Sequence, residues 1–388
     1  MEKKDRLMSL DALRGADMLC IMGGSAVVVA LCQLLGFGKD CWLAEQMTHV
    51  VWHGFRQHDT IFPLFLFLAG VSWPFSYASQ RERGRTTAQI LLKIAGRVAA
   101  LIFLGLFGAK LFGFDFAHLR WDSVLAHIAC CWAAAALLYM FVKSVKVRLA
   151  IAAALLVGHW LLLTFCSAPD AGQLLASTDP VVAKKVASYA AFGTDSFSFT
   201  GNIAGWVDRT FMPGVLHEGI FDPDGLLGKL TGVVTALFGV FAGELLRRKE
   251  VTGNRKTLVL LGAGAATLAL CLVWRPWCPV NKKIWTSTFV LAAGSYSFFM
   301  LAIFYWIIDV KGFRKWTFFF RVIGMNSITV YIMMRFMGFR SIGNYFLCGL
   351  AKLGGNPHWE ALVLSLGQVL VAWIVLWYFY RKNTFLRV

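Results

Sequence analysis

The sequence predicts an all-α integral membrane protein, a bundle of about ten transmembrane helices. Of the 388 residues, 58% are hydrophobic and only 15% are charged, whereas soluble domains carry roughly a quarter charged residues. The apolar residues also occur in runs of about 20 residues, the length that a helix needs to cross a bilayer. These two observations exclude a water-soluble globular domain.

Charged residues and Gly or Pro separate the apolar runs, and each run predicts one membrane-spanning helix. The predicted helices are 15–36, 60–80, 94–113, 123–142, 148–166, 225–247, 256–275, 285–309, 321–342 and 360–380. No small-residue cleavage site follows the first apolar run, which is therefore interpreted as an uncleaved helix and not a signal peptide.

Positive charges predict the orientation of the bundle. With the N-terminus inside, the inner segments contain 24 Lys and Arg residues and the outer segments contain 13. Because cytoplasmic loops carry the excess of Lys and Arg, we expect both termini inside. Residues 1–388 then form a single transmembrane domain with one long extracytoplasmic loop, 167–224, and connections of that length are usually functional.

The distribution of charge and the spacing of cysteines argue against two other functions, nucleic-acid binding and metal binding. The net charge of +17 arises mostly from short loops between apolar runs, where it sets orientation and meets lipid headgroups, so no nucleic-acid partner is expected. The nine cysteines show no CxxC and no metal-finger spacing, so no metal is expected. A disulfide among the cysteines near the outer ends stays open; these are Cys41, Cys166, Cys278 and Cys348.

The densest group of ionisable residues is the segment 49–59, just before the second predicted helix. Its ionisable members are His49, His53, Arg56, His58 and Asp59, and Trp52 lies among them. Three interpretations compete: an interfacial loop with solvated histidines, a metal site without recognised ligand spacing, and a proton-transfer pair. In the third, a histidine oriented by a carboxylate acts as a general base.

Basic residues also gather at the predicted inner ends of the helices. Asp11 and Arg14 lie three residues apart at the entry of the first helix and share a face, so they can form an ion pair. Further arginines form a cytoplasmic rim; these are Arg81, Arg83, Arg85 and Arg97. The rim is mostly a topology signal, but guanidinium groups also suit the phosphates of a nucleotide-bearing cofactor.

An ordered set of motifs resembles one known family of membrane enzymes. The motifs are Leu10-Asp11-Ala12-Leu13-Arg14-Gly15, His49-x-x-Trp52-x-Gly54, Asp59-x-x-Phe62-Pro63-x-Phe65-x-Phe67-x-x-Gly70, Phe221-Asp222-Pro223-Asp224-Gly225-Leu226-Leu227, Val280-Asn281-Lys282-Lys283-x-Trp285-Thr286-Ser287 and Gly324-Met325-Asn326-Ser327. In this order they resemble the heparan-alpha-glucosaminide N-acetyltransferase family of transmembrane acetyltransferases, and they span most of the chain.

The resemblance implies an acetyl transfer across the membrane. Members of this family take the acetyl group of cytosolic acetyl-CoA and place it on an amino sugar, glucosamine-like, at the far side. The family's active-site histidine corresponds to His49, and its aspartate ten residues later corresponds to Asp59. His49 would deprotonate the acceptor amine or attack the thioester itself, and the residues leave both routes open.

The remaining candidate residues follow from the same interpretation. Arg14, Arg97 and Arg248 are expected to hold CoA phosphates, and Asn281 and Lys282 to steady the thioester or the sugar. The candidate acceptor-binding residues are Trp52, Asp208 and Asp222. Helix capping and interfacial anchoring are the alternatives for each of these residues. The alternative function is a transporter or channel for a sugar or other small solute.

The chain also departs from the family's pattern, which leaves the acceptor open. His53 stands where an asparagine or similar residue is usual, and Ser25 stands where an asparagine is common late in the first helix. The segment 120–127 also differs from the family's usual motif. Without a further N-terminal region, a bacterial cytoplasmic membrane is the expected location. The oligomeric state, a homodimer included, stays open.

Overall fold

The computed structural model describes residues 7–38 and 40–386 of the chain. This part of the chain folds into seventeen α-helices with short π and 3₁₀ turns between some of them. The helices are α1 (Met8–Leu19), α2 (Ser25–Leu34), α3 (Trp42–Gln46), α4 (Ile61–Glu82), α5 (Thr87–Gly108), α6 (Val124–Phe141), α7 (Val145–Phe165), α8 (Ala171–Leu175), α9 (Pro180–Tyr189), α10 (Ile203–Phe211), α11 (Gly228–Arg247), α12 (Gly253–Trp274), α13 (Ser287–Tyr305), α14 (Thr317–Gly324), α15 (Ser327–Phe336), α16 (Phe339–Leu353) and α17 (Pro357–Arg381).

The predicted number of membrane spans is confirmed. Within the described residues, nine helical segments are long and apolar enough to cross a membrane, or ten if the bent pair α14–α15 counts as one span. The all-α fold is confirmed as well, and the chain is an integral membrane protein. The assignment of both termini to the cytoplasmic side stays a prediction.

Glycines bring the central helices into close contact. A Cβ atom added to Gly239 of α11 would lie 2.0 Å from the carbonyl oxygen of Phe67 in α4, and one added to Gly70 would lie 2.2 Å from that of Ala236. Only glycine permits such an approach, which is the usual way in which membrane helices pack without a hydrophobic driving force. The pair α4–α11 therefore forms a rigid centre for the bundle.

The first span is broken near its middle. A π-helical turn, Cys20–Gly24, separates α1 from α2, and Gly23 in that turn has φ 126°, a conformation that favours glycine. Such π turns occur frequently at functional sites. The break sets the direction in which Ser25, the first residue of α2, presents its hydroxyl group.

The ninth predicted helix, 321–342, differs from the structure. The chain forms α14 and α15, bent by 69° at Met325–Asn326, and then a further helix, α16, which was predicted to be a loop. The Asn326 side chain donates to the carbonyl oxygen of Val322 at 3.0 Å, a local bond of the kind that competes with helix continuation. Apolar character alone did not reveal this break.

The bundle has two ends with different loops. The loop end carries residues 36–38, 40–56, 166–227 and 275–286, and its long segment contains α8, α9 and α10. This segment packs on its own aromatic core, to which Trp52, Phe199 and Phe221 contribute. The terminal end carries the short connections 83–86, 142–144 and 248–252, close to where the described chain begins and ends.

Candidate active site

The segment that precedes α4 is held by its own turns and by the loop end. Gly54 has φ 132° and donates its N–H to the carbonyl oxygen of Val280 at 2.8 Å. Asp59 lies in a 3₁₀ turn, Gln57–Thr60, and its carboxylate accepts the N–H groups of Arg56 at 3.2 Å and of Val50 at 3.4 Å. Backbone donors therefore fix the position of this carboxylate independently of any side-chain contact.

His49 and Asp59 form a hydrogen-bonded pair. The Nδ1 atom of His49 lies 2.8 Å from Oδ1 of Asp59, whose side chain is only 2% exposed, whereas the imidazole is 55% exposed. An ionised carboxylate only accepts hydrogen bonds, so Nδ1 carries the proton and Nε2 keeps its lone pair. The arrangement can perform general-base or nucleophilic chemistry at Nε2.

Lys282 adds a positive charge to this pair. Its Nζ lies 3.4 Å from Oδ1 of Asp59 and 3.2 Å from Nδ1 of His49. Burial lowers the pKa of Lys282, and the neighbouring Asp59 carboxylate opposes that change. The lysine is thus placed on the Nδ1 side of the ring, opposite the free lone pair, where it balances the charge of Asp59.

A cavity of about 2180 Å³ runs through the bundle past this pair. His49, Asp59 and Lys282 line it at the loop end, and Arg248 and Lys256 line it at the terminal end. Between them its wall is largely apolar; the residues there include Met18, Phe62, Phe65, Ala69, Leu125 and Ile128. The structure therefore connects the His49–Asp59 pair with the opposite end of the molecule.

Two arginines line the cavity between its ends. Arg14 of α1 donates from Nη2 to Oγ of Ser72 at 2.5 Å and to the carbonyl oxygen of Leu68 at 3.3 Å, and its Nη1 lies 3.7 Å from Asp11. Arg97 of α5 has its guanidinium carbon 4.1 Å from the ring centroid of Trp132. Both side chains lie within membrane-spanning helices, where charged groups usually mark a functional interior.

The depth of Arg14 can be read from its contacts on α4. Leu68 and Ser72 follow Asp59 by 9 and 13 residues. At about 1.5 Å of rise per residue, the guanidinium of Arg14 therefore lies roughly 14–20 Å from Asp59 along the helix axis. Arg14 is thus near the middle of the span rather than at its rim.

Three of the candidate residues do not line the cavity. Asn281 is fully buried, and its side-chain oxygen accepts the N–H groups of Lys283 and Ile284 at 2.8 and 3.3 Å. Asp208 accepts the N–H groups of Asp222 and Leu226 at 3.1 and 3.0 Å, and burial raises its pKa to about 6. These side chains hold turns of the loop end in place.

Asp222 is the third of these residues, and it is engaged by Arg120. The guanidinium donates from Nε and Nη2 to the two carboxylate oxygens of Asp222 at 2.7 and 2.5 Å. Burial favours the neutral acid, but the hydrogen bonds and charge of Arg120 prevail and lower the pKa of Asp222. Trp52 does line the cavity, although it is 1% exposed and donates to the carbonyl oxygen of Phe197 at 2.9 Å.

The cavity also contains residues that the sequence did not single out as candidates. At the loop end these are Arg120, Tyr189, His217, Glu218, Asp224 and Lys283. Burial raises the pKa of Asp224 to about 6, so this carboxyl changes charge near neutral pH. Asp224 lies in the motif 221–227, but nothing in that motif distinguishes a residue that faces the cavity from one that faces the loop.

His58 is a further missed residue. It lines the cavity beside His49, with the two ring centroids 4.5 Å apart. Its Nδ1 lies 3.1 Å from Oγ of Ser25. The dense histidine cluster in the sequence was the available signal. Among the described residues, no group of three or more His, Cys, Asp or Glu side chains could hold a metal ion.

Comparisons with known proteins give two relatives with the same name. Heparan-alpha-glucosaminide N-acetyltransferase of Homo sapiens is 28% identical over 426 residues, which cover 99% of this chain and 60% of the relative. The enzyme of Mus musculus is 26% identical over 429 residues, which cover 100% of this chain and 62% of the relative.

The chain thus spans about three fifths of the length of these curated relatives. No protein-family model matches it. The family resemblance that the sequence motifs carried is confirmed: over nearly its whole length this chain is similar to heparan-alpha-glucosaminide N-acetyltransferase.

Proposed function

We propose that this protein is a transmembrane acetyltransferase that moves the acetyl group of acetyl-CoA to an amino sugar on the other side of the membrane. The observation that carries the proposal is the cavity of about 2180 Å³, which joins the His49–Asp59 pair at the loop end to arginines deeper in the bundle. The donor would enter at the terminal end, from the cytoplasm, and the acceptor would arrive at the loop end.

The distance between the arginines and the histidine suits the donor. The pantetheine arm has thirteen bonds between its sulfur and the nearer phosphorus, so at an advance of about 1.25 Å per bond it spans roughly 16 Å when extended. Arg14 lies roughly 14–20 Å from Asp59 along α4. A diphosphate bound near Arg14 would therefore place the thioester beside His49, and the apolar wall between them suits the slim arm.

The three arginines then have different roles. Arg14 and Arg97 would hold the diphosphate within the span, because guanidinium forks form strong charge-assisted bonds to phosphate. Arg248, which lines the cavity at the terminal end with Lys249 and Lys256, would meet the 3′-phosphate. The cost of placing arginines at membrane depth is offset when an anion binds them there.

His49 would carry the chemistry at Nε2. It either takes a proton from the acceptor amine or attacks the thioester carbon to form an acetyl-imidazole. Asp59 holds the Nδ1–H tautomer at 2.8 Å and would stabilise the imidazolium as it forms. Lys282 lies on the Nδ1 side, so we assign it to the charge balance of the pair rather than to the thioester oxygen.

The acceptor would bind where the segment 167–224 meets the cavity. Asp224 and Glu218 line this region, but Glu218 already accepts from Lys185 at 2.6 Å and from Lys283 at 2.7 Å. Asp224 accepts from Nη2 of Arg120 at 2.8 Å, but only its Oδ2 takes part in that contact. Oδ1 of Asp224 is therefore the better candidate to bind the acceptor's ammonium group. Asp208 and Asp222 would act indirectly, since they fix the loop from which Asp224 projects.

The test is release of free CoA thiol by the purified protein in nanodiscs. Acetyl-CoA is offered with a panel of amino sugars, and each acetylated product is identified by mass spectrometry. We expect release with at least one amino sugar and its loss in His49→Ala. His118→Ala is the matched control, because His118 pairs with Asp115 at 2.9 Å on an exposed surface and does not line the cavity.

Two outcomes would overturn the proposal. One is the absence of thiol release with every amino sugar while the wild-type protein remains folded. The other is release that His49→Ala leaves unchanged. Flux of a sugar across protein-containing liposomes, without thiol release, would instead favour a transporter that uses the same cavity.

A further inference from the structure

His58 is the second imidazole in the cavity, next to His49. The ring centroids are 4.5 Å apart and the ring planes are inclined by 58°, so the rings face one another at an angle without stacking. Both side chains line the cavity. A group in this position is within reach of any acceptor nitrogen that approaches Nε2 of His49.

The first membrane span holds His58 in this position. Ser25, the first residue of α2, places its Oγ 3.1 Å from Nδ1 of His58. The direction of that hydroxyl follows from the π turn Cys20–Gly24 and from the positive φ of Gly23. Ser25 itself is buried. Among the described residues, no hydrogen-bond partner is recorded for Nε2 of His58, which leaves that atom for a ligand.

The two histidines are held by different partners. His49 donates to the carboxylate of Asp59 at 2.8 Å, whereas the hydrogen bond of His58 goes to a hydroxyl group. The charged and titratable groups around His58 are His49 and Asp59 of its own segment, Lys282 of the loop end, and the thiol of Cys20, which lies near Ser25 on the first span. Burial and the charges of His49 and Lys282 keep the His58 imidazole neutral at the working pH, against the opposing charge of Asp59. It can therefore accept a proton there and gives that proton up readily, which suits a role separate from that of His49.

Acetyl transfer from a thioester to a protonated amine requires two proton movements. The carbon–nitrogen bond forms and the carbon–sulfur bond breaks, while the nitrogen loses two protons. One proton converts the departing thiolate into a thiol, and the other must leave for the solvent. A single imidazole can carry one proton to the thiolate, as base and then as acid, but it cannot at the same time hold the proton that leaves for the solvent.

We propose that His58 is the second proton acceptor, which removes the first proton from the acceptor's ammonium group and releases it at the loop end. This rests on the proposed function. In direct transfer, His49 then takes the second proton at Nε2 and passes it to the departing thiolate, which leaves as a thiol. The acceptor class that needs such a residue is a primary amine that is an ammonium ion at the working pH.

The test compares two acceptors in His58→Asn. Asparagine can retain the hydrogen bond to Ser25, because its side-chain amide occupies about the position of Nδ1, but it cannot take a proton at neutral pH. With glucosamine, an ammonium acceptor, we expect kcat to fall about 100-fold, the lower range for loss of a general base. With hydroxylamine, a free base at the assay pH, we expect less than a threefold change.

His53→Asn is the matched control. His53 belongs to the same cluster but does not line the cavity, and its Nδ1 lies 3.4 Å from the Asn281 amide. Its substitution should leave both acceptors within threefold of wild type. Added imidazole should restore part of the glucosamine activity of His58→Ala, because a small base can enter the space that the side chain vacates.

Three results would overturn the inference. These are equal losses with glucosamine and hydroxylamine in His58→Asn, wild-type activity with glucosamine in that variant, and failure of imidazole to rescue a folded His58→Ala. Failure of the proposed function is distinguishable, since the wild-type protein would then release no thiol with any amino sugar. In that case there is no acetyl transfer in which His58 could accept a proton, and the inference is wrong as well.

Discussion

The described chain contains two histidine–aspartate pairs whose environments differ. His49 lies 2.8 Å from Asp59, and His118 lies 2.9 Å from Asp115. Asp59 is 2% exposed and lines the cavity, whereas Asp115 is 63% exposed and lies on the loop between α5 and α6. The contact distances are nearly the same, so distance alone does not identify a catalytic pair.

Environment is what separates the two pairs. The hydrogen bond from His118 lowers the pKa of the Asp115 carboxyl. The carboxylate of this exposed pair is therefore also stabilised by its histidine. Asp59 additionally accepts two backbone N–H groups and is shielded from water, which fixes its geometry and strengthens its interaction with the imidazole. Its histidine also faces a space that can hold a donor and an acceptor.

The largest expected effect comes from the same substitution made in both pairs. In Asp59→Asn the amide can donate to Nδ1, which favours the wrong tautomer of His49, so we expect kcat for acetyl transfer to fall about 10³-fold. In Asp115→Asn we expect kcat within twofold of wild type. Thiol release measured at saturating donor and acceptor gives both values.

Stability is the control for this comparison. Circular dichroism and thermal unfolding in nanodiscs should show both variants folded at the assay temperature. A loss of activity in Asp59→Asn that is smaller than tenfold would mean that the buried carboxylate does not orient His49 during the reaction.

The fold could largely be predicted from the sequence, because the membrane enforces a strong local signal. A spanning helix must be apolar along about 20 residues whatever it packs against, so the runs from 60–80 to 360–380 could be located without tertiary information. The break at Met325–Asn326 could not, since the residues on both sides are mostly apolar and the close contact of Gly324 with the backbone of Asp11 in α1 is not visible in the sequence. Gly324 and Asn326 were the available signals.

The candidate site could be predicted only where its residues are close in sequence. His49 and Asp59 are ten residues apart, in a segment rich in ionisable groups, and the family resemblance pointed to the same pair. Lys282 contacts this pair although it follows Asp59 by 223 residues in the sequence. The side chain of its neighbour Asn281 points into the fold instead. Adjacent residues in a turn face different directions, and their sequence does not say which faces the cavity.

Aspartates of the long loop illustrate the same limit. Asp208, Asp222 and Asp224 are all buried near the loop end, but only Asp224 lines the cavity. Asp208 binds backbone donors, whereas Asp222 and Asp224 share Arg120. Which of these carboxylates also lines the cavity depends on where the loop places it, and the loop packs on its aromatic core.

The second prediction sharpens the comparison deeper in the cavity, at Arg97. The His49–Asp59 pair differs from the His118–Asp115 pair in facing the proposed donor route. Weakening the contacts to the donor's phosphates should therefore weaken binding of acetyl-CoA without changing the chemical step at His49. In Arg97→Gln we expect KM for acetyl-CoA to rise about 30-fold with kcat nearly unchanged, the loss of about 2 kcal/mol from one charged hydrogen bond. Acetyl-pantetheine, which lacks the diphosphate, should show no such rise.

Arg255→Gln is the matched control, because Arg255 is exposed near the terminal end and does not line the cavity. Its KM for acetyl-CoA should equal that of the wild type. An equal rise for acetyl-CoA and acetyl-pantetheine in Arg97→Gln would show that Arg97 supports the cavity wall rather than the phosphates.

The smallest expected effect concerns the positive charge of Lys282 beside the His49–Asp59 pair. Its Nζ lies 3.4 Å from Oδ1 of Asp59, where it stabilises the ionised carboxylate that orients His49. In Lys282→Met this stabilisation is lost. We expect kcat, measured by thiol release at saturating donor and acceptor, to fall about eightfold, the effect of one charge at this distance in a water-like medium.

Lys283→Met is the neighbouring control, since Lys283 forms an ion pair with Glu218 at 2.7 Å and makes no recorded contact with His49. Its kcat should equal that of the wild type. A wild-type kcat in Lys282→Met would mean that the backbone N–H groups of Val50 and Arg56 hold the Asp59 carboxylate in its working state without the lysine.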